Sequence, residues 1–246
     1  MLDIGSLLVV AIIVLVASIV KGLTGFGFAL TSLPLLSLFI SPKVAVPLIT
    51  VCSVFLDGYT LYEARKSVRY REIVSLVASG IIGMILGTYF LVSLDSQALR
   101  LAIGAVTVLF AAASMIGVRR DISNTNLASI PVGLISGVLG GSMSISGPPI
   151  VLFFNNQRVE KTVFRANLIA YFFSLYVATV PAYVLGNLIT LDLLGSSGVM
   201  VPIMFLGATL GIRLSRRVDE RVFRRITLLL VLVAGIMAIL SALNIA

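Results

Sequence analysis

Long apolar segments separated by short polar loops constrain this chain more than any other feature of its sequence. A helix that crosses the hydrocarbon of a bilayer needs about 20 predominantly apolar residues. Uninterrupted apolar segments occupy 44–62, 73–93, 98–117, 163–185, 193–212 and 226–245. Only 11% of the residues are charged and the mean hydropathy is +1.14, whereas about a quarter of a typical soluble domain is charged. The sequence therefore predicts an all-α polytopic membrane protein.

A further apolar segment, 127–154, is interrupted at 140–149 by glycine, serine and proline. The sequence of 137–151 is GVLGGSMSISGPPIV. Pro149 lacks an amide donor, and Pro148 biases Gly147 away from the helical region. Irregular backbone at membrane depth is tolerated only where it is buried in protein or lines a water-filled cavity. We therefore predict a binding site here; the alternatives are a loop outside the bilayer and a helix kinked at proline.

The first apolar segment, 4–40, carries a similar interruption at Lys21 and 22–27. The sequence of 22–36 is GLTGFGFALTSLPLL, and it aligns with 137–151 when shifted by 115 positions. The identical pairs are Gly22 with Gly137, Gly25 with Gly140, and Pro34 with Pro149. Paired glycine- or proline-interrupted segments in the two halves of a membrane protein indicate a transport site.

A second motif also occurs twice, with a shift of 124 positions. Both copies have the same internal spacing of four, eight and five residues. Gly83, Gly87, Asp95 and Arg100 align with Gly207, Gly211, Asp219 and Arg224. We therefore divide one integral membrane domain into two repeats, 1–118 and 119–246, each an interrupted hairpin followed by three transmembrane helices.

Loop charge predicts that the two repeats have opposite orientations. Loops 63–72, 118–126, 155–161 and 213–225 contain 4, 2, 2 and 6 Lys or Arg residues, whereas 94–97 and 186–192 contain none. Basic loops stay in the cytoplasm, so both termini should lie outside. The net charge of +8 is read as this loop charge and not as a nucleic-acid surface. Whether the hairpin tips stop at mid-membrane or cross fully is left open.

The two interrupted segments, the chain length and the repeat resemble the sulfite exporter TauE/SafE family, also called the 4-toluene sulfonate uptake permease family. The resemblance covers the whole chain and implies transport of small sulfur-containing anions across a bacterial inner membrane. Sulfite, thiosulfate, sulfoacetate and related sulfonates or carboxylates are the substrates it implies. Members often carry glycine where this chain has Ser142, Ser144 and Phe26, which leaves the substrate open.

An anion at mid-membrane needs hydrogen-bond donors, which broken-helix amides and hydroxyl groups supply. The predicted substrate-binding residues in the two interruptions are Thr24, Gly25, Gly27, Gly140, Gly141, Ser142, Ser144, Ser146 and Gly147. Arg165 and Asn167 lie a turn into their segment, and Arg165 is expected either to hold an oxyanion or to reach the cytoplasmic surface. Lys21 and Tyr171 are further candidate anion contacts. Each glycine has an alternative role in helix packing.

Asp57 is the one carboxylate well inside an apolar segment. Charged groups at such positions are costly and are functional candidates by default. We expect Asp57 to carry a coupling proton or to neutralise a buried base, unless it lies at the helix end.

The residue types favour a secondary transporter over an enzyme. The chain has no His and one Cys, which leaves little for a metal or haem site, so we expect no cofactor and no catalytic residue. An anion channel, a non-transporting membrane subunit and an intramembrane enzyme remain alternatives. The expected partners are a small anion, protons, membrane lipid and a candidate second copy in a homodimer, with no nucleic acid.

Overall fold

The computed structural model describes residues 4–116, 125–155, 157, 160–214 and 220–243. This part of the chain forms ten α-helices and one 3₁₀ turn, Arg65–Ser67, and it contains no strand. The first half contains α1 (Ile4–Thr24), α2 (Phe28–Phe39), α3 (Pro42–Ala64), α4 (Tyr70–Ser93) and α5 (Ser96–Ile116). The second contains α6 (Thr125–Met143), α7 (Gly147–Asn155), α8 (Lys161–Leu185), α9 (Leu191–Leu214) and α10 (Glu220–Ala242).

Five of the described helices are long and apolar enough to cross a membrane. These spans are Pro42–Ser67, Tyr70–Ser93, Ser96–Ile116, Thr162–Leu185 and Leu191–Leu214. The prediction of an all-helical polytopic membrane protein is confirmed at this level. Helix α7 has nine residues, which at 1.5 Å per residue is about 14 Å, or about half of a 30 Å hydrocarbon core.

The first break separates α1 from α2 at the three residues 25–27. The Gly25 amide donates to the Lys21 carbonyl at 2.8 Å, which closes the last turn of α1. Gly25 and Gly27 then adopt φ angles of +83° and +95°, in the left-handed region that glycine enters without a Cβ penalty. The chain changes direction at these two residues and begins α2 at Phe28.

The second break is shorter than the sequence predicted. It comprises only residues 144–146, whereas an interruption was expected at 140–149. Helix α6 continues through Gly140 and Gly141 to Met143, and the Gly140 carbonyl accepts from the Ser144 amide at 2.9 Å. Pro148 and Pro149 lie in the first turn of α7, where a proline amide would have no intrahelical partner anyway.

Glycines allow two pairs of helices to pack with their backbones in contact. A Cβ on Gly83 or Gly87 of α4 would collide with a carbonyl oxygen of α6. A Cβ on Gly207 or Gly211 of α9 would collide with a carbonyl oxygen of α1 in the same way. Both copies of the repeated glycine motif therefore mediate close helix packing.

Helices α3 and α8 contact each other in the interior of the bundle. Their spans have the largest buried fractions of the five. The side chains that surround both breaks come largely from these two helices.

Several predicted features lie outside the described residues. They are the repeat boundary at 118/119, Arg119, Arg120, Arg158, Arg216, Arg217 and Asp219. The division into two inverted repeats and the loop orientation stay predictions.

Candidate anion-binding site

Both helix breaks line one cavity. It encloses about 280 Å³ of space between atoms, including its open mouth. The first break and the start of α2 contribute Gly27, Phe28, Ala29 and Leu30, and the second break contributes Ser144, Ile145 and Gly147. Lys21, Ser53, Phe172 and Tyr176 complete the lining.

The amino-terminal end of α2 borders this cavity. The first hydrogen bond of the helical register runs from the Thr31 amide to the Gly27 carbonyl at 2.9 Å. Because the first amides of a helix have no partner within it, those of Phe28, Ala29 and Leu30 remain as donors. A helix amino terminus also carries a partial positive charge of about half an elementary charge, which favours an anion.

Lys21 provides the positive charge of the cavity lining. It lies in the last turn of α1, and its ammonium group forms an ion pair with Oδ1 of Asp57 on α3. The side chains of Lys21 and Asp57 are 5% and 0% exposed. The ammonium nitrogen also lies 5.1 Å from the centre of the Phe172 ring, within range of a cation–π interaction. The pair is therefore removed from water, with Lys21 facing the cavity.

Asp57 is only partly satisfied by this pair. Its second carboxylate oxygen, Oδ2, is buried and has no hydrogen-bond partner within the described part of the chain. Ser53, one helical turn earlier on α3, borders the cavity. Asp57 thus does not line the cavity itself but contacts Lys21, which does.

Hydroxyl groups of α6 and α8 hold the second break in place. Tyr176 donates to the Ser144 carbonyl at 2.9 Å, and Tyr183 donates to the Gly141 carbonyl at 2.7 Å. The Ser146 carbonyl accepts from Ser136 at 2.6 Å. These bonds satisfy backbone acceptors that the helix cannot reach, as a break in a low-dielectric region requires. The Gly141, Ser144 and Ser146 carbonyls around this break therefore have defined partners.

Ser144 is the strained residue of this break. Its φ is +52°, an uncommon value for a residue with a Cβ. Its hydroxyl bonds to that of Thr50 on α3 and lies 3.3 Å from the Val46 carbonyl. The side chain is thus fixed against α3 while it borders the cavity.

Four of the predicted anion contacts line this cavity. They are Lys21, Gly27, Ser144 and Gly147. Asp57 joins them indirectly through its ion pair with Lys21. Pairing with a buried base is one of the two roles expected of Asp57, and the ion pair with Lys21 agrees with it; the role as proton carrier stays a prediction.

The other predicted residues of the first break serve the backbone or neighbouring helices. The Thr24 hydroxyl bonds to the Val20 carbonyl at 2.9 Å and accepts from the Phe26 amide at 3.2 Å. Gly25 lies against the side chain of Arg165: a Cβ there would be 2.8 Å from Cγ of that residue. Neither Thr24 nor Gly25 is among the described residues that border the cavity.

Four predicted residues near the second break lie away from the cavity lining. Gly140 packs against the Leu175 side chain, and Gly141 packs against the α4 backbone. Ser142 is helical and donates to the Val138 carbonyl at 2.7 Å. Ser146 is 3.4 Å from the Tyr176 hydroxyl. Because α6 continues past Ser142, the three serines do not share one irregular segment.

The three predicted residues of α8 also have other partners. Arg165 donates to the Gly22 carbonyl at 3.0 Å. Asn167 donates to Glu72 at 2.9 Å and accepts from the Arg69 amide at 2.8 Å. Tyr171 donates to Ser136 at 2.9 Å. These bonds join α8 to α1, α4 and α6, and they do not reach the cavity.

Comparison with protein families gives one match. The sequence model described as Sulfite exporter TauE/SafE matches residues 10–238, nearly the whole chain. The chain belongs to the TauE/SafE family. No curated protein and no solved structure matches it. The predicted resemblance is confirmed, and TauE/SafE proteins are a family of membrane transporters.

Sequence reasoning missed several side chains that line the cavity of this TauE/SafE protein. Ser53 could have been found, because it lies four residues before Asp57 and so on the same face of one helix. Phe172 and Tyr176 are likewise four residues apart on α8, but nothing in their local sequence indicates that they face a cavity. Phe28, Ala29 and Leu30 contribute their backbone amides, because they form the first turn of α2. They could be found only by knowing at which residue α2 begins.

The lining offers donors suited to a small anion. They are the α2 amides, the Lys21 ammonium group and the Ser53 hydroxyl. The aromatic face of Phe172 and the side chain of Leu30 provide an apolar wall. A sulfonate combines a charged oxygen face with an apolar substituent, and this lining offers both kinds of contact.

Proposed function

We propose that this protein is a secondary transporter of small sulfur-containing anions. The observation that carries the proposal is the cavity between the two helix breaks, where Lys21 and the amino terminus of α2 converge. The substrate class is sulfite, thiosulfate, sulfoacetate or a related organosulfonate. Membership of the TauE/SafE family supports both the transport activity and this class.

The proposed mechanism is alternating access between two inverted repeats. Helix α4 packs on α6, and α9, the counterpart of α4, packs on α1, the counterpart of α6. The corresponding helices α3 and α8 pack against each other. Matched packing of this kind supports a repeat in which one half moves relative to the other around a fixed site.

The proposed location is the inner membrane of a bacterium, with both termini outside. Basic residues concentrate in alternate loops, and the positive-inside rule orients those loops to the cytoplasm. In this orientation the short helices α2 and α7 bring two helix ends to the middle of the bilayer. Asp57 is the proposed proton carrier, since it is buried and pairs with the cation of the site.

Transport of labelled sulfite by the purified protein in liposomes tests this function. We expect saturable uptake that unlabelled sulfite inside the vesicles accelerates, because a carrier returns faster when it is loaded. Uptake without this acceleration would indicate a channel instead. Uptake no greater than in protein-free vesicles, for sulfite, thiosulfate and sulfoacetate alike, would overturn the proposed function.

A pair of serine variants locates the site within the same assay. Ser53→Val places methyl groups in the cavity lining, whereas Ser196→Val makes the same change on α9, where Ser196 donates to the Asp192 carbonyl of its own helix at 2.9 Å. We expect the first variant to raise the KM for sulfite and the second to leave it unchanged. Equal KM values for the two variants would contradict anion binding in this cavity.

A further inference from the structure

We infer that the site carries one monovalent anion together with one proton, so that transport is electroneutral. The anion and the Asp57 carboxylate compete for the ammonium group of Lys21, and Asp57 takes up a proton when the anion replaces it. This inference rests on the proposed transport function. It adds the stoichiometry and the charge of the substrate.

Lys21 is the group that both anions would share. It is the one positively charged residue among the described residues that line the cavity, and it already binds Asp57. An ammonium group has three donors, and one carboxylate oxygen occupies part of that capacity. A substrate oxygen that enters between Lys21 and the α2 amides therefore meets a cation that Asp57 has neutralised.

Oδ2 of Asp57 is the atom that would accept the proton. It is fully buried and has no hydrogen-bond partner in the described part of the protein. An ionised carboxylate that loses its cation in such a place is strongly disfavoured, and it takes up a proton instead. Displacement of Asp57 from Lys21 and protonation of Oδ2 are therefore linked.

The neighbouring helices supply little other charge. Tyr176 of α8 lines the cavity, and Cys52 is on the same helix as Asp57. Helices α2 and α6 contain no titratable residue. The remaining charged residues on elements packed against α3 lie near element ends: Arg65, Lys66, Arg100, Lys161, Arg165, Asp192 and Arg213.

Arg165 is the nearest alternative cation on α8. Its guanidinium group donates to the Gly22 carbonyl at 3.0 Å. Arg165 is not among the described residues that line the cavity, so it does not enter the charge count at Lys21.

The net charge of the site is zero in both the empty state and the loaded state. The empty site contains Lys21⁺ and Asp57⁻. The loaded site contains Lys21⁺, a monovalent anion and protonated Asp57. Because an uncompensated charge in a buried site costs several kcal/mol, these two neutral states are the ones in which the protein can change its access.

The same count restricts the substrate. The proton enters Asp57 from the side where the anion binds and leaves with it on the other side. Hydrogen sulfite and singly charged alkanesulfonates satisfy the count. A divalent anion such as thiosulfate would leave one negative charge uncompensated, so it should be carried poorly.

Liposomes with purified full-length protein test the stoichiometry, with labelled methanesulfonate as the probe. With the membrane potential clamped at zero, an acidic outside should drive methanesulfonate uptake against its own gradient. A potassium diffusion potential of either sign, without a pH gradient, should leave the initial uptake rate unchanged. A pH dye inside the vesicles should report one proton for each anion.

Asp57→Asn tests the role of the carboxylate, with Asp95→Asn as the matched control. Asp95 caps α5 by accepting from the Ala98 amide at 2.7 Å and is exposed. Asp57→Asn should retain exchange of internal for external methanesulfonate but lose accumulation driven by the pH gradient. Asp95→Asn should retain both activities.

Each failure has a distinct meaning. An uptake rate that changes severalfold with membrane potential, or a proton-to-anion ratio other than one, would overturn the inference while transport itself stands. These two measurements use the unmodified protein, so they decide the matter even if Asp57→Asn does not fold. Absence of any protein-dependent flux or exchange would overturn the proposed function and this inference together.

Discussion

At the scale of single residues, the Lys21–Asp57 pair is the most unusual feature of the molecule. Both side chains are almost fully buried, and Oδ2 of Asp57 has no partner among the described residues. A buried ion pair rarely stabilises a fold more than apolar residues of similar size would. The pair is therefore better explained by its position beside the cavity than by stability.

This explanation gives a prediction about stability. Lys21→Met alone leaves a buried carboxylate without its cation, and removal of one partner of a buried pair costs about 3–5 kcal/mol. The double variant Lys21→Met with Asp57→Leu should recover most of that loss. Thermal unfolding in detergent measures the stability of the unmodified protein, Lys21→Met and the double variant. A double variant no more stable than Lys21→Met would contradict the explanation.

Gly27 gives a second prediction, because its φ of +95° is strained for any other residue. Gly27→Ala should lower the stability by about 1–2 kcal/mol, the cost of left-handed backbone for an L-residue. It should also weaken anion binding, because Gly27 positions the first turn of α2. The matched control is Gly195→Ala on α9, where a Cβ meets no atom within 4 Å. The control should be neutral or slightly stabilising in thermal unfolding; an equal loss in both variants would count against the role of Gly27.

At the scale of helices, close packing depends on the glycines of α4 and α6. A Cβ on Gly87 would collide with the Val138 carbonyl and lie 2.9 Å from the Ser142 amide nitrogen. Backbone atoms cannot move aside as side chains do. The two helices would have to separate, which would displace the break that follows α6.

We therefore expect Gly87→Ala to destabilise the protein by about 1–3 kcal/mol, the usual effect of overpacking. Gly198→Ala is its control, because a Cβ at that position of α9 meets open space. Thermal unfolding of both variants in the same detergent checks the difference. If Gly87→Ala unfolds at the same temperature as Gly198→Ala, the α4–α6 contact does not depend on this glycine.

Helix positions could be predicted from the sequence, but the lengths of the breaks could not. Apolar run lengths locate the helices because the bilayer sets their length. Pro148 and Pro149 were expected to belong to the interruption, because proline inside a helix breaks it. Proline is also common in the first turn of a helix, and that is where the structure places both residues. The local sequence does not distinguish these two situations.

The candidate site was predictable only in part for a related reason. The two breaks and Lys21 stand out in the sequence because glycine, proline and charge are unusual in apolar segments. The cavity also needs Phe172 and Tyr176, whose orientation depends on how α8 packs against α3 and α4. Arg165 and Asn167 looked like site residues by their polarity, yet each bonds to another helix.

At the scale of the whole molecule, the proposed orientation follows from loop charge alone. Ser67→Cys and Thr190→Cys lie in loops predicted to face opposite sides of the membrane. In a Cys52→Ala background, a membrane-impermeant thiol reagent added outside intact cells should label position 190 and not position 67. Labelling of both from outside would contradict the orientation, and labelling of both only after permeabilisation would do so as well.

The central claim is that an anion binds between the two helix breaks at Lys21. Calorimetric titration of sulfite into Lys21→Gln, with Lys43→Gln as control, tests it most directly. Lys43 is partly exposed and donates to the Val92 carbonyl at 3.0 Å, at the start of α3 and away from the cavity lining. A hydrogen bond to a charged group contributes about 1.5–3 kcal/mol, so we expect Lys21→Gln to weaken binding roughly ten- to a hundred-fold. Lys43→Gln should bind sulfite like the unmodified protein. Equal affinities for the two variants, with both proteins folded, would contradict the claim.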